Sequence, residues 1–543
     1  MALDLGRRLM QRTLRDAAAQ APSVSIVGAG LSGLAMAMQL RRSGVTDITI
    51  YEQSDGVGGT WRDNTYPGSG CDVPSHLYSF SFAPKTDWSR RFAEQPEILE
   101  YAESCVTQND LARHIRFGTT VEEAHFDEEH AQWRLSVTPR GAATREVVTD
   151  VVIFACGQLN RPATPDLAGA VTFEGTSFHS ARWDPTCELD GRQVAVVGNG
   201  ASAIQFVPAV ARKASALTIF QRSTNYVGPK PDRAYGAIER WLLEHVRPYE
   251  LAYRWKIYWS FEARWLLFRR DGWPGRRLAG TFDKGIRAQV VSDRLPETAV
   301  VPDYLLGCKR ILISNDWYPT LHRPNVEVVT DPIDHVEADA VVTGTGRRYP
   351  ADVLIYATGF HTTDFLSHIA ITGVEGRKLA DEWRAGAGAY LGITVPGFPN
   401  CFLLYGPNTN LGHNSILFMV ERQISYILQL LALTSATART SSSRLSVDVT
   451  PGAFSRDSQR TQRLMSATVW AGSCRSWYKT ATGRITNNWP SWSVRYWLDT
   501  LRVRRGDVVL RYTDAPSPAG VGPAGGESDG ERRAASAGRV QRS

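Results

Sequence analysis

The sequence predicts an α/β protein built from two doubly wound domains, with a helical insert in the second. A strand, a glycine-containing loop and a helix follow one another at 24–52 and again at 194–221. Two further apolar runs, at 151–155 and 353–356, are typical of buried strands in such sheets. The chain has 543 residues, enough for two or three domains.

The remaining segments complete the predicted organisation. Arg alternates with Leu and Met at helical spacing near the N-terminus, which predicts a helix there. The tail is rich in Pro, Gly, Ala and Ser, which predicts disorder. The predicted units are an N-terminal helix (1–21), a first domain (22–157 and 392–513), a second domain (158–230 and 301–391), a helical insert (231–300) and a disordered tail (514–543).

The insert is rich in Trp, Tyr and Arg. This composition has two interpretations. The first is a set of helices packed over the two domains. The alternative is a helix that lies on a membrane surface.

The first glycine loop, VSIVGAGLSG at 24–33, ends a predicted strand and begins a helix. Gly28 suits a tight turn, Gly30 allows close approach of a pyrophosphate, and Gly33 allows close packing of helix on strand. Glu52 ends the next predicted strand and is suited to accept hydrogen bonds from a ribose. A carboxylate there repels a 2'-phosphate, so the loop predicts a site for FAD or NAD.

The second loop, VAVVGNGASA at 194–203, repeats the pattern through Gly198 and Gly200, with Ala203 in the third position. Arg222, followed by Ser223, stands where the first loop has an acidic residue. A guanidinium pairs well with the 2'-phosphate of NADPH. Two Rossmann-like domains, one for FAD and one for NADPH, predict hydride transfer from NADPH to a bound flavin.

Composition excludes several other classes. The net charge of +6 is mild and its basic residues are dispersed, so we expect no nucleic-acid partner. No apolar run approaches the roughly 18 uninterrupted residues of a membrane span and no signal peptide is evident, which predicts a cytoplasmic protein without a transmembrane segment. We predict no metal site.

The seven cysteines include no C-x-x-C pair, and we expect all of them to be free thiols. The missing pair also argues against a disulfide reductase.

The segment FEGTSFHSARWD at 173–184 resembles the fingerprint F-x-G-x-x-x-H-x-x-x-W-P/D of type I Baeyer-Villiger monooxygenases. The fixed positions are Phe173, Gly175, His179, Trp183 and Asp184. A second segment, GGTWRDNTYPGSGCD at 58–72, resembles another signature of the same family. The resemblance covers residues 22–500 and implies an FAD- and NADPH-dependent enzyme that converts a ketone, with O2, into an ester or lactone.

The resemblance also implies roles for individual residues. It makes Arg310 the cation beside the oxygen that the flavin activates and Asp72 the group that orients Arg310. It places Gly59, Thr60 and Trp61 at the cofactor, as well as Asp72, and it places Lys309 with Arg222 at the phosphate of NADPH. Judged without the resemblance, Arg310 and Asp72 would be an ordinary ion pair.

Two further residues acquire roles from the resemblance. We expect His179 to lie in an interdomain linker with a conformational role, against the alternative of a hydrogen-bonded structural histidine. Trp477 falls where relatives place a mobile-loop tryptophan, against the alternative of a core position.

Two other functions share the predicted folds. An amine- or sulfide-oxygenating flavin monooxygenase needs the activated oxygen in a neutral form, and a redox sensor would bind both cofactors without turnover. The fingerprint at 173–184 favours the ketone reaction. The sequence leaves the ketone and the oligomeric state open, together with any peripheral contact of the insert with a membrane.

Overall fold

The structure, a computed structural model, describes residues 21–438, 444–474 and 476–513. The predicted N-terminal helix, but for residue 21, and the predicted disordered tail over 514–543 lie outside the described residues. The strands are, in chain order, β1 (Val24–Val27), β2 (Ile48–Tyr51), β3 (Ile115–Arg116), β4 (Thr119–Asp127), β5 (Gln132–Pro139), β6 (Arg145–Thr149), β7 (Val151–Phe154), β8 (Thr176–His179), β9 (Gln193–Val197), β10 (Ala216–Phe220), β11 (Val227–Gly228), β12 (Leu312–Ile313), β13 (Val326–Val329), β14 (Ile333–Val336), β15 (Ala340–Thr343), β16 (Arg348–Pro350), β17 (Val353–Tyr356), β18 (Ala370–Thr372), β19 (Cys401–Leu403), β20 (Arg444–Val449) and β21 (Val508–Thr513).

The α-helices are, in chain order, α1 (Leu31–Arg42), α2 (Thr60–Asp63), α3 (Gln95–Gln108), α4 (Ala203–Lys213), α5 (Ala237–His245), α6 (Arg247–Glu262), α7 (Trp273–Val290), α8 (Glu297–Val300), α9 (Trp317–Leu321), α10 (Leu379–Glu382), α11 (Ile416–Ala438), α12 (Pro451–Ser466) and α13 (Ser493–Asp499).

Five parallel strands form the first doubly wound sheet, in the order β19-β7-β1-β2-β3. Every residue of β1 and β7 is buried, as expected for parallel strands covered on both faces. Val27, Tyr51 and Phe154 pair across the carboxyl ends of β1, β2 and β7. The first glycine loop therefore leaves the sheet at the edge where such folds bind ligands.

The second sheet repeats this plan in the order β13-β10-β9-β17-β8, again with parallel strands. Val197 pairs with Phe220 and Tyr356 at the carboxyl ends, so the second glycine loop leaves its sheet in the same way. The predicted strand at 353–356 is β17, and the strand predicted at 151–155 ends one residue earlier, at Phe154. The prediction of two Rossmann-like domains is confirmed.

The predicted boundary between residues 391 and 392 is wrong. β18 lies before that boundary, yet it pairs with β4 in a four-stranded sheet, β18-β4-β5-β6, that belongs to the first domain. The physical reason is burial: Leu366 and Ile371 share an apolar cluster with Trp133 and with Phe154 of the first sheet. The chain therefore returns to the first domain well before residue 391.

The insert predicted at 231–300 is helical and packs against both domains. Ile257, Tyr258 and Phe261 of α6 belong to the core of the first domain, whereas Ile286 and Val290 of α7 belong to the core of the second. The insert interrupts the second domain in sequence, but in space it bridges the two.

Helix α11 contains one stretch, Ile416–Ser435, that is long and apolar enough to cross a membrane, with a mean hydropathy of 1.4. That stretch is 67% buried inside the protein, and Met419 and Ile427 are fully buried in the first domain's core. Burial of this kind is typical of a central core helix, since the apolar surface is already covered by protein.

His76 lies buried where the first domain meets the insert. Its Nε2 donates to the carbonyl of Thr86, and its Nδ1 lies 3.1 Å from the hydroxyl of Tyr235. Burial lowers the pKa of His76 to about 4. The unfolded chain therefore takes up this proton near pH 6.5, and the folded chain only near pH 4.

Because the unfolded state binds the His76 proton first, stability falls as the pH drops through this window. We expect His76 to remove about 2 kcal/mol between pH 7.5 and pH 5. Urea unfolding followed by tryptophan fluorescence at the two pH values checks this: His76→Phe should flatten the pH dependence, and the exposed control His125→Phe should not. Equal pH dependence in wild type and His76→Phe would contradict the prediction.

Candidate active site

A cavity of about 1190 Å³ lies between the carboxyl ends of the two sheets. Both glycine loops line it, although they are far apart in the sequence. The predicted site residues that line this cavity are Gly28, Gly30, Glu52, Gly59, Thr60, Trp61, Asp72, Gly198, Gly200, Arg222, Ser223, Lys309, Arg310 and Trp477. The structure thus brings most of the predicted site to one place.

The first glycine loop owes its shape to backbone contacts. Gly28 has a φ of +106°, in the left-handed region that favours glycine. A Cβ atom at Gly33 would lie 2.0 Å from the carbonyl oxygen of Gly28, so the start of α1 can approach β1 only with glycine there. The helix consequently directs its N-terminal amides toward the cavity, where they suit a pyrophosphate.

Glu52 is buried at the end of β2 and is held by the backbone. Its Oε2 accepts the N–H of Ala29 at 2.7 Å, and its Oε1 accepts the N–H of Ser54 at 2.8 Å. Each oxygen keeps a further lone pair for a ribose hydroxyl. The Gly30–Glu52 arrangement therefore fits the adenosine half of FAD.

The second glycine loop has the same geometry with different side chains around it. Gly198 has a φ of +107°, and a Cβ at Gly200 would meet no atom within 4 Å, which leaves room for a pyrophosphate. Ala203 lies fully buried behind the loop. Asn199 donates to the carbonyl of Ser223 at 3.0 Å and so fixes the loop to the segment that follows β10.

Two cations stand beside this loop. Arg222 is exposed, and the ammonium of Lys309 donates to the hydroxyl of Ser223 at 2.6 Å. The ring of Tyr304 lies 4.5 Å from the Lys309 ammonium. Burial lowers the pKa of Lys309, and Arg222 lowers it further by charge repulsion. A phosphate dianion between the two cations would relieve that repulsion, so this arrangement fits the 2'-phosphate of NADPH.

Arg310 and Asp72 form a two-pronged ion pair on the cavity wall. The Nε of Arg310 donates to one carboxylate oxygen at 2.8 Å, and its Nη2 donates to both, at 2.6 and 2.7 Å. Each side chain is 30% exposed, so both reach the cavity. Asp72 raises the pKa of Arg310 further above its ordinary range, so the guanidinium stays charged.

Several residues around this ion pair were not predicted from the sequence. Tyr405 and Asn410 line the cavity, and the Tyr405 hydroxyl donates to Oδ1 of Asn410 at 2.7 Å. Tyr405 has a φ of +58°, unusual for a tyrosine, and burial raises its pKa. Tyr478 lies close by, and burial raises its pKa to about 12. The segment GPNTNLGHNS at 406–415 was the available signal for this wall.

The fingerprint residues lie outside the cavity lining, as do Gly33 and Ala203. Trp183 packs against Phe178 and Phe206 at ring distances of 5.2 and 5.3 Å. Asp184 accepts the N–H and the hydroxyl of Thr186, which closes a turn and lowers the pKa of Asp184.

Gly175, another fixed position of the fingerprint, lies close to backbone and to the ring of Phe173. A Cβ atom at Gly175 would lie 2.3 Å from the carbonyl oxygen of Asp352 and 2.7 Å from the ring of Phe173. In this structure the fingerprint residues therefore anchor β8 and the turn that follows it.

The placement of His179 in an interdomain linker is wrong. His179 is the last residue of β8, which pairs with β17 as an edge strand of the second sheet. Its Nδ1 accepts the N–H of Ala181 and caps a short turn, and burial lowers its pKa. His179 therefore belongs to the second domain.

Trp477 is half-buried and lines the cavity. Its ring lies 4.2 Å from that of Tyr478, and its carbonyl accepts the hydroxyl of Thr362 at 2.8 Å. The prediction that every cysteine is free is wrong for two residues nearby: Cys308 and Cys474 form a disulfide, with Cα atoms 6.5 Å apart.

This disulfide ties two segments of the site together. Cys308 directly precedes Lys309, and Cys474 lies shortly before Trp477. Neither cysteine lines the cavity, so the pair is not placed to exchange electrons with a flavin there. A sequence separation of 166 residues hides such a pair from a search for short motifs.

Thiol counting tests the disulfide. The denatured protein should react with maleimide at five cysteines without reduction, namely Cys71, Cys105, Cys156, Cys187 and Cys401. All seven should react after treatment with a dithiol. Cys308→Ser is the control and should give the same count before and after reduction. Seven reactive thiols in the unreduced wild type would contradict the assignment.

Within the part of the chain that the structure describes, no group of three or more His, Cys, Asp or Glu side chains is arranged to hold a metal ion.

Comparison with known proteins agrees with this site. The flavin-binding monooxygenase-like family model matches residues 21–235. A Baeyer-Villiger monooxygenase of Streptomyces coelicolor is 39% identical over 510 residues, which are 93% of this chain and 95% of that protein. A Baeyer-Villiger monooxygenase of Pseudomonas aeruginosa is 39% identical over 482 residues, covering 88% of this chain and 90% of that protein.

Among solved structures, OTEMO in complex with FAD and NADP superimposes with a TM-score of 0.80 at 26% identity, covering 90% of this chain and 99% of that one. Both the sequence relatives and the fold lead to one family. The chain belongs to the Baeyer-Villiger monooxygenases of the flavin-binding monooxygenase-like family.

Proposed function

We propose that this enzyme uses FAD and NADPH to insert one oxygen atom of O2 next to a ketone carbonyl. The balanced reaction converts ketone, O2, NADPH and a proton into ester or lactone, water and NADP+. The other oxygen atom leaves as water, and NADPH supplies both electrons for its reduction. The relatives' names and the OTEMO complex with FAD and NADP support this reaction.

FAD belongs to the first glycine loop. Glu52 would accept hydrogen bonds from the ribose hydroxyls, and the amides at the start of α1 would bind the pyrophosphate. Gly59, Thr60 and Trp61 line the same cavity, with Gly59 next to Gly30, and would contact bound FAD. Bound FAD would supply the acceptor for the NADPH hydride and the position at which O2 is activated.

NADPH belongs to the second glycine loop. Arg222 and Lys309 would neutralise its 2'-phosphate, and the hydroxyl of Ser223 would add a hydrogen bond. NADH lacks that phosphate and would leave the two cations facing each other. We therefore assign the preference for NADPH to charge at these positions.

The observation that carries the proposal is the Arg310–Asp72 pair on the wall of the cavity that both loops share. Asp72 fixes the guanidinium through three hydrogen-bond contacts without using all of its five N–H donors. The remaining N–H groups can hold negative charge that develops beside the ketone carbonyl. A preorganised cation in a partly dehydrated site stabilises such charge strongly.

Two further roles complete the proposal. Trp477 would cover the cavity once NADPH and ketone are bound, because it lines the cavity and its carbonyl accepts the hydroxyl of Thr362, which lines the cavity as well. His179 would transmit domain movement, since it ends an edge strand of the second sheet. A cytoplasmic location and a small-molecule ketone as substrate are part of the same proposal.

A ketone panel tests the function. FAD-loaded protein should convert at least one member, such as acetophenone or cyclohexanone, into a product heavier by one oxygen atom, and 18O2 should label that atom. A thioether arm run in parallel addresses the main rival: sulfoxide formation without any ester would favour a sulfide-oxygenating enzyme. Binding of both cofactors without any consumption of NADPH would favour a redox sensor.

A further inference from the structure

The helical insert carries apolar side chains on two opposite sides of α6. The inner side is covered, since Ile257 and Phe261 are buried in the first domain and Tyr258 packs on the ring of Phe418. Leu251, Trp255 and Trp259 occupy the other side at intervals of four residues, which places them along one face of the helix. We call these three residues the outer stripe.

The outer stripe is open to solvent. Leu251 is 40% exposed, Trp255 52% and Trp259 53%, and the two indole rings stack with centroids 6.4 Å apart. Large side chains of this kind are normally buried, and a contiguous exposed set marks an interaction surface.

The insert concentrates such residues. Every tryptophan among the exposed large apolar side chains of the described residues lies in it: Trp241, Trp255, Trp259 and Trp273. Ile238, Tyr249 and Leu266 add further exposed apolar surface to the same insert. Tryptophan is the residue most typical of the boundary between lipid and water, because its ring is apolar and its N–H is polar.

The exposed charge of the insert is mainly positive. Nine basic side chains of the insert are exposed and form no ion pair within the described residues; they are Arg240, Lys256, Arg264, Arg269, Arg270, Arg276, Arg277, Lys284 and Arg294. By contrast, Glu250 and Glu262 of α6 are buried, at 2% and 0% exposure. Between residues 240 and 277, only Glu244 and Asp271 are exposed acids. The insert thus carries exposed indoles together with exposed basic side chains that form no ion pair, and Lys256 directly follows Trp255 of the outer stripe.

We propose that the exposed surface of the insert, centred on the outer stripe, docks on the surface of an anionic phospholipid bilayer. The indoles of the outer stripe would enter the headgroup region, and the basic residues would pair with lipid phosphates. A second copy of the chain is a poorer occupant, because docking two such surfaces would bring like charges together. The helix lies on the membrane and does not cross it.

Co-sedimentation with vesicles tests the docking surface. The FAD-loaded full-length protein should bind vesicles of phosphatidylcholine with about 30 mol% phosphatidylglycerol, and about 0.5 M salt should weaken binding by screening. Trp255→Ser/Trp259→Ser should bind about tenfold more weakly or worse, since two interfacial side chains are lost. The matched control Phe117→Ser/Tyr512→Ser removes two exposed aromatic rings that lie outside the insert and should bind as wild type does.

A second measurement avoids any variant. Vesicles that contain brominated phosphatidylcholine should quench part of the wild-type tryptophan fluorescence, because bromine quenches indoles that enter the bilayer. Absence of both vesicle binding and quenching would overturn the proposal. So would an equal loss of binding in the control variant. Light scattering that shows concentration-dependent dimers, abolished by the outer-stripe variant and with no vesicle binding, would assign the surface to a second copy.

Discussion

Replacing Arg310 with alanine is expected to lower ester formation about a thousandfold while hydride transfer from NADPH to FAD continues. A unit charge about 4 Å away contributes roughly 4 kcal/mol at an effective dielectric constant near 20, which corresponds to about three powers of ten in rate. The loss should fall on the oxygen-insertion half of the cycle, because Arg222 and Lys309 still hold NADPH. Asp72 would also be left as an uncompensated negative charge on the cavity wall.

Two measurements separate the halves of the reaction. Anaerobic rapid mixing with NADPH reports flavin reduction by loss of flavin absorbance, and gas chromatography reports ester. Arg310→Ala should still show flavin reduction by NADPH, should form almost no ester and should release hydrogen peroxide. The exposed Arg323→Ala serves as a control and should behave as wild type. Normal ester formation by Arg310→Ala would remove Arg310 from the mechanism.

The role of Asp72 can be tested in the same assay. Asp72→Asn keeps the size of the side chain but weakens the ion pair, so we expect about a tenfold loss of ester formation. The losses from Arg310→Ala and Asp72→Asn should not add in the double variant, because the two side chains act as one unit. Additive losses would show that Asp72 acts separately from Arg310.

The glycine loops were predictable from sequence because all of their determinants are local. Gly28, Gly30 and Gly33 belong to one turn, and the need for glycine arises from contacts within that turn and the neighbouring strand. Glu52 could be added because parallel strands end at a common edge. The architecture of both Rossmann-like domains followed from such short patterns.

The Arg310–Asp72 pair was not predictable in that way. The two residues are 238 positions apart, and only the family resemblance brought them together. Tyr405 and Asn410 were not predicted, because they reach the cavity only through the position of β19, which precedes them in the chain and pairs in the first sheet. Short sequence patterns do not predict contacts between residues that are hundreds of positions apart. The Cys308–Cys474 disulfide was not predicted for the same reason.

The prediction of the domain boundary was wrong for a related reason. The segment before residue 391 has no pattern that distinguishes a strand of the second domain from one of the first. Burial of Ile371 beside Trp133 decides the matter, and burial is a property of the assembled fold. The two apolar sides of α6 likewise differ only in the folded protein. Ile257 and Phe261 are buried against the first domain, whereas the outer stripe is exposed.

Replacing Arg222 with alanine is expected to reduce the preference for NADPH over NADH about a hundredfold. The guanidinium faces the cavity beside Lys309 and Ser223, and a charge-assisted contact to a phosphate contributes roughly 1.5 to 3 kcal/mol. Removing Arg222 also removes the repulsion that lowers the pKa of Lys309, so Lys309 retains part of the phosphate binding. The loss should therefore appear in KM for NADPH, with kcat and the NADH reaction nearly unchanged.

Steady-state oxidation of NADPH and NADH, compared as the ratio of kcat/KM values, measures this preference. Arg212→Ala removes an exposed arginine of α4 that does not line the cavity, and its ratio should equal that of wild type. Lys309→Ala should lower the ratio as well, and the double variant should use NADPH and NADH with nearly equal kcat/KM. An unchanged ratio in Arg222→Ala would refute the assignment of this side chain to the 2'-phosphate. A ratio lost only in Lys309→Ala would place the phosphate nearer to Tyr304.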